Sequence, residues 1–161
     1  MTAFERHLTA AAGYLELGMA ADAGAELDAI EPTRRDDWQV LALRVVVYQE
    51  TAAWEPMRRT SEQLVTVQPE QAQWTLSLAY ATRRCRSLSE ARAILLAALE
   101  RHPEESTIPY NLACYEAQLD HLSAARQWLN TAISMNARHQ EMALADNDLA
   151  AFHEELRNGG F

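Results

Sequence analysis

Two cysteine–histidine pairs in this chain, Cys114 with His121 and Cys85 with His102, carry the residue types of a nucleophile and its base. Such a pair works only when the base is oriented by a third group and an oxyanion can be held. No motif around either pair supplies those parts, so both cysteines read as buried, inert helix residues. Asp146-Asn147-Asp148 opens like a calcium loop but lacks the glycine at the sixth place and the glutamate at the twelfth. It reads as a helix-capping turn. The histidines at 7, 102, 121, 139 and 153 include no i, i+4 pair, so no metal site is expected, and the five glycines form no phosphate cradle. The expectation is a protein without catalytic residues, metal or cofactor.

What remains is binding chemistry. Arg83, Arg84 and Arg86 form a basic cluster whose forked guanidinium groups suit a carboxylate. The plainer reading places them as cations favoured at a helix C-terminus, paired with Glu50. Tyr80 and Tyr110 could serve as aromatic anchors or as packing between helices. Trp38, Trp54, Trp74 and Trp128 read as core and inter-repeat packing.

The elements that hold these residues follow from a period of 34. Positions 23, 57, 91 and 125 read Ala, Met, Ala, Ala, and positions 27, 61, 95 and 129 read Leu, Ser, Leu, Leu. Positions 11, 45, 79 and 113 read Ala, Val, Ala, Ala; positions 30, 64, 98 and 132 read Ile, Leu, Ala, Ala. A fixed period of this length marks a helical repeat array. Each unit is predicted to be two antiparallel helices, A and then B. In the fourth, Leu112, Tyr115 and Leu119 share one face, Asp120 and His121 turn, and Leu122, Ala125, Leu129, Ala132 and Ile133 form the second face. The small residues let paired helices approach closely.

Pro69 and Pro103 close the second and third units, since proline cannot continue the helical ladder. Pro32 arrives three residues early, with Arg35 in the equivalent place, so the first B helix is predicted to be short and its exit loop long. Trp54 is placed between paired helices. Beyond Ala137 the spacing of Met142, Ala145, Leu149, Phe152 and Leu156 predicts a cap, broken at 146–148 into a short helix and a longer one. The expected organisation is one domain, 1–161, with repeats at about 4–34, 36–70, 71–104 and 105–137 and a cap at 138–158.

Charge narrows the partner. The 161 residues carry 23 acids and 14 bases, a formal net charge of −9, and every base is arginine. A phosphate-backbone partner needs a basic stripe, and an anionic membrane needs the same. Neither nucleic acid nor membrane is expected. The first residues, with Glu5, Arg6 and His7, lack the apolar run of a signal peptide, and Ala93–Leu99 is far short of the roughly 20 residues of a spanning helix. A reduced, cytoplasmic protein, monomeric or weakly dimeric, is the expectation.

The segment 110–136, with Leu112 and Ala113 early in helix A and Ala125, Leu129 and Ala132 in helix B, resembles the tetratricopeptide repeat (TPR) family. So does 86–103, ending on Pro103, and the resemblance runs from about Phe4 to Ala137. Departures stand at Arg44, where leucine is usual, at Ser61, where a large apolar residue is usual, and at Glu116, where an aromatic is usual. Ala137 replaces the last proline. The resemblance implies an all-α, right-handed superhelical solenoid whose A helices line a concave groove for peptides or protein segments. Transferred onto this chain, the groove includes Leu15, Val46, Gln49, Glu50, Leu76, Tyr80, Arg83, Arg84, Tyr110 and Gln118. The carboxylate clamp of one TPR subclass is rejected, because its lysine and asparagine places hold Leu8 and Ala12.

The function implied is a non-catalytic scaffold or adaptor that binds a peptide or helical segment. The alternative is a secretion-type TPR chaperone holding an unfolded client. A unit that stacks end to end is disfavoured by the polar cap from Arg138 to Arg157.

Overall fold

Ten α-helices and two 3-10 turns account for the ordered backbone of the computed structural model, which describes residues 1–161. No strand forms. The chain divides into two compact units, Met1–Arg86 and Ser87–Phe161.

The first unit holds α1 (Ala3–Glu16), α2 (Ala20–Asp28), a 3-10 turn at Pro32–Arg34, α3 (Trp38–Glu50), α4 (Trp54–Val67) and α5 (Ala72–Cys85). Thr2 starts α1 with a capping box: its hydroxyl accepts from the Glu5 N–H, and the Glu5 carboxylate accepts from the Thr2 N–H. As expected from Pro32, α2 has only nine residues. Arg35, standing where the second and third units have proline, donates to the carbonyls of Ile30 (2.8 Å) and Asp28 (2.6 Å) and so satisfies the end of the shortened helix. Two apolar clusters fill this unit. Ala11, Ala23, Leu27, Ile30, Val40 and Val47 join α1, α2 and α3. Leu41, Val45, Met57, Leu64, Trp74 and Ala81 join α3, α4 and α5.

The second unit holds α6 (Leu88–Ala98), α7 (Thr107–Gln118), α8 (Leu122–Met135), α9 (Arg138–Ala145), a 3-10 turn at Asn147–Phe152 and α10 (His153–Arg157). Ser87 caps α6 by accepting from the Glu90 N–H at 3.1 Å. The α7–α8 hairpin is covered by the C-terminal elements, with the 3-10 turn lying on α7 and α9 on α8. The break at Asp146 is where the sequence puts it, and Asp146 caps the turn by accepting from the Asp148 N–H. The second part of the cap departs from expectation. A 3-10 turn and a five-residue helix stand in place of one longer helix. Leu149 and Phe152, three apart, both point inward from that turn, and a spacing of three fits 3.0 residues per turn as well as 3.6.

All sixteen positions of the four 34-residue rows are buried, none more than 7% exposed. The period also appears in the turns. Gly18, Ala52 and Asp120, each 34 residues or a multiple apart, have φ of +72°, +55° and +63°. Arg86, the remaining place in that row, has φ −124°.

Arg44 and Glu116, charged where the repeat rule asks for apolar residues, each find an opposite charge on an adjacent helix. Arg44 on α3 reaches Asp28 of α2 at 2.7 Å. Glu116 on α7, 1% exposed, accepts from Arg92 Nε of α6 at 2.5 Å and lies 2.8 Å from His121 Nδ1. Burial pushes the Glu116 carboxyl up, but the His121 and Arg92 hydrogen bonds outweigh it and hold it below its ordinary 4.5. Ser61 is fully buried and its hydroxyl has no partner.

Candidate protein-binding face

The first helix of each hairpin is the one expected to carry the binding face, and in the first unit these are α1, α3 and α5. Eight of the ten candidate residues lie on them. Leu15 is half-buried, packed on the core that joins α1 to α3. Val46 is 41% exposed, and Gln49 and Glu50 beside it are open to solvent. On α5, Leu76 and Arg83 are half-buried, while Tyr80 and Arg84 are exposed.

Tyr80 and Arg84 converge on Trp54, the first residue of α4. Tyr80 meets its ring edge-to-face with centroids 5.7 Å apart, and the Arg84 guanidinium lies 4.7 Å from the ring centre. Trp54 is half-buried and also packs on the cluster shared by α3, α4 and α5, so it serves the next helix as well as its own hairpin. Arg84 and Arg86 of the basic cluster thus have partners within the first unit. Arg86 takes Glu55 at 3.2 Å, not Glu50, and the same carboxylate accepts from Arg58 (3.1 Å) and Arg59 (3.1 Å). The Cys85 thiol donates to it as well, at 3.4 Å. Burial, and then the Glu55 carboxylate, push that thiol above its ordinary range, which disfavours the thiolate a nucleophile needs.

Trp38 was missed as a binding candidate. Read as core from its size, it is 46% exposed at the first position of α3, where no preceding turn of helix covers it. With Leu8, Thr9 and Ala12 of α1 and Gln39, Ala42 and Leu43 of α3, it lines an open hollow of about 370 Å³. The available signal was its place directly after Asp36-Asp37, at a helix start.

Tyr110 and Gln118 lie on α7 of the second unit. Gln118 is exposed. Tyr110 is not on an open face. It is 5% exposed, stacks on His139 of α9 with centroids 4.9 Å apart, and donates its hydroxyl to Asp146 Oδ2 at 3.0 Å. Burial, with Cys114 and Asp146 beside it, pushes the phenol far above its ordinary value. The chain's own cap therefore occupies the place where a ligand would meet Tyr110. His139 is itself buried, with Nε2 2.8 Å from the Ser106 hydroxyl and Nδ1 without a partner, and burial lowers its basicity.

The residues with metal or nucleophile chemistry in this unit are engaged in the same packing. Ligand atoms of Cys114, Asp146 and Asp148 lie within 4.8 Å of one another. Both oxygens of Asp146 already accept, one from the Tyr110 hydroxyl and one from the Asp148 N–H, so the cluster ties the capping turn to α7. His121 is given to Glu116, while Cys114 lies 3.6 Å from Asp146. No helix is long and apolar enough to cross a membrane.

No family model and no curated protein sequence matches the chain. Solved structures do. MamA RS-1 ArsTM double mutant superposes with a TM-score of 0.74 at 16% identity, over 83% of this chain and 75% of that one. MamA MSR-1 C2 superposes with a TM-score of 0.64 at 13% identity, over 97% of this chain and 93% of that one. MamA is a TPR-repeat protein. The paired helices, the buried 34-residue rows and this likeness together give the chain an all-α, tetratricopeptide-like fold.

Proposed function

We propose that the chain is a non-catalytic scaffold that takes a peptide or helical segment of a partner protein against the exposed face of its A helices. The observation that carries this reading is the apolar surface left open on α1 and α3. Trp38 and Val46 are 46% and 41% exposed, and Trp38 borders a hollow lined by Leu8, Ala12 and Ala42. Tryptophan is among the residues that most often dominate binding energy, because one side chain buries a large rigid area. A face held by two packed helices is already ordered when the partner arrives, which removes part of the entropic cost of association. Gln49 and Glu50 on α3, with Tyr80, Arg83 and Arg84 on α5, extend the face with polar and aromatic groups that fix direction, and Leu76 adds apolar area. Leu15 supports it from below. The elevated Cys85 thiol and the engagement of His121 by Glu116 favour a role without turnover.

The test is a photo-crosslinking residue placed at Val46 on the A-helix face or at Gln63 on the exposed side of α4. Adducts with the native partner are expected from Val46 and not from Gln63. Trp38→Ala should weaken binding by about 2 kcal/mol, roughly thirtyfold. Equal adducts from both positions would reject the A-helix face as the binding surface.

A further inference from the structure

The first turn of α4 gathers more positive charge than a protein of net charge −9 would suggest. Glu55 accepts hydrogen bonds from Arg58, Arg59 and Arg86, and Arg58 also reaches Glu62 at 3.3 Å. Arg84 lies on the neighbouring Trp54 ring. Three arginines thus meet two carboxylates, with a fourth on the adjacent aromatic ring. Their donors are far from used up. The side chains of Arg59 and Arg86 are 72% and 50% exposed, and each gives Glu55 a single N–H of the five a guanidinium carries. Arg84 is exposed, with its guanidinium 4.7 Å from the Trp54 ring centre. Beside them opens a recess of about 330 Å³, lined by Tyr48, Glu55, Pro56, Arg59 and Thr60.

We propose that this edge of the first unit, where Arg59 and Arg86 flank Glu55 and Arg84 lies on the adjacent Trp54, is a docking point for an acidic, Asp- or Glu-rich segment of a partner protein. Arg58, Arg59 and Arg86 are already arranged around one carboxylate, that of Glu55, and a partner's carboxylate reaching the same corner meets the unused N–H groups of Arg59 and Arg86. Planar guanidinium groups hold carboxylates through paired N–H donors. A long polyanion is disfavoured, because the acidic remainder of the molecule repels it at distances where a short acidic segment is not yet engaged. The inference rests on the reading that the partner is a protein, but Arg59 and Arg86 lie outside the face assigned to that reading, so the two can fail separately.

The test uses the full chain and a fluorescein-labelled peptide of alternating glutamate pairs and leucine, with a matched glutamine peptide as control, read by fluorescence anisotropy. Saturable binding is expected for the glutamate peptide, about tenfold tighter than for the glutamine peptide. It should weaken between about 50 mM and about 300 mM salt, because the contacts are solvent-exposed charges. The double variant Arg59→Ala/Arg86→Ala should lose about tenfold in affinity with an unchanged helical circular dichroism spectrum. Gln63→Ala, on the exposed side of α4, should leave peptide binding intact. Equal affinity for the two peptides, no saturable binding, or wild-type affinity in the double variant overturns the proposal. A single-stranded oligonucleotide that binds more tightly than the glutamate peptide, and is lost in the same variant, overturns the choice of a protein partner.

Discussion

Removing the Arg92 side chain tests the buried charge at Glu116 most directly. Glu116 is 1% exposed and holds two charge-assisted contacts, to Arg92 Nε at 2.5 Å and to His121 Nδ1 at 2.8 Å. Stranding one charge of a buried pair costs about 3–5 kcal/mol, since the remaining ion has lost both water and partner. Here His121 stays and Arg92 is itself 37% exposed, so the expected cost of Arg92→Ala lies below that range, at about 2–3 kcal/mol. For a chain of this size that lowers Tm by roughly 5–10 °C. Glu116→Leu, which removes the buried charge and leaves Arg92 free to reach water, should stay within about 1 kcal/mol of the wild type. The pH dependence has a definite sign. The folded-state carboxyl lies below its ordinary 4.5, so its contribution is complete above that value and is lost as pH falls through the folded one. Urea unfolding followed by circular dichroism at pH 7 and at acid pH reads all three effects. An Arg92→Ala change of less than about 0.5 kcal/mol, or a Glu116→Leu loss as large as that of Arg92→Ala, would refute the reasoning.

The left-handed turns give a pair of opposite expectations. Ala52→Gly relieves a residue at φ +55° and should stabilise by about 0.5 kcal/mol, the strain relieved exceeding the unfolded-state entropy gained. Gly18→Ala, at φ +72° with nothing within 4 Å of the added methyl, should destabilise by about 1 kcal/mol through conformation alone. Shifts of the same sign in urea midpoint would remove the left-handed row as their cause. Ser61→Ala deletes a buried hydroxyl that has no partner and should stabilise by about 1 kcal/mol. A loss of stability on thermal unfolding would show that the hydroxyl is satisfied after all.

The 34-residue rows made the hairpins legible because repetition averages out local ambiguity. One Ala at position 91 says little, but Ala23, Met57, Ala91 and Ala125 at one spacing specify a face, and each is fully buried. Pro32 revealed the short α2 for an equally mechanical reason. Legibility failed where repetition stopped. The cap occurs once, so the spacing of Leu149 and Phe152 had no second copy to distinguish a 3-10 turn from an α-helix. Tyr110 was assigned to an open face by its place in the repeat, yet its hydroxyl partner, Asp146, belongs to the unrepeated segment. Trp38 failed in the opposite direction: its apolar bulk reads as core, while its place at a helix start leaves it open. The Glu55 cluster was hidden because its members, at 55, 58, 59, 85 and 86, come from two helices whose facing sides no spacing within one helix specifies.

The charged departures from the repeat rule make sense together. An apolar row tolerates sliding, since one leucine or alanine covers another after a shift of one helical turn, about 5.4 Å. A buried ion does not tolerate it. Were α7 displaced by a turn along α6, its alanines would still be covered, but Glu116 would lose Arg92 and stand uncompensated. Arg44 and Asp28 impose the same condition on α3 and α2 within the first unit, less strictly because Asp28 is exposed. Replacing such pairs by apolar residues therefore tends to leave stability unchanged while permitting alternative registers. In a fold assembled from near-identical hairpins, mispairing is the nearest competing state. The repeat rule is broken by charge at contacts between successive hairpins, where a register has to be chosen.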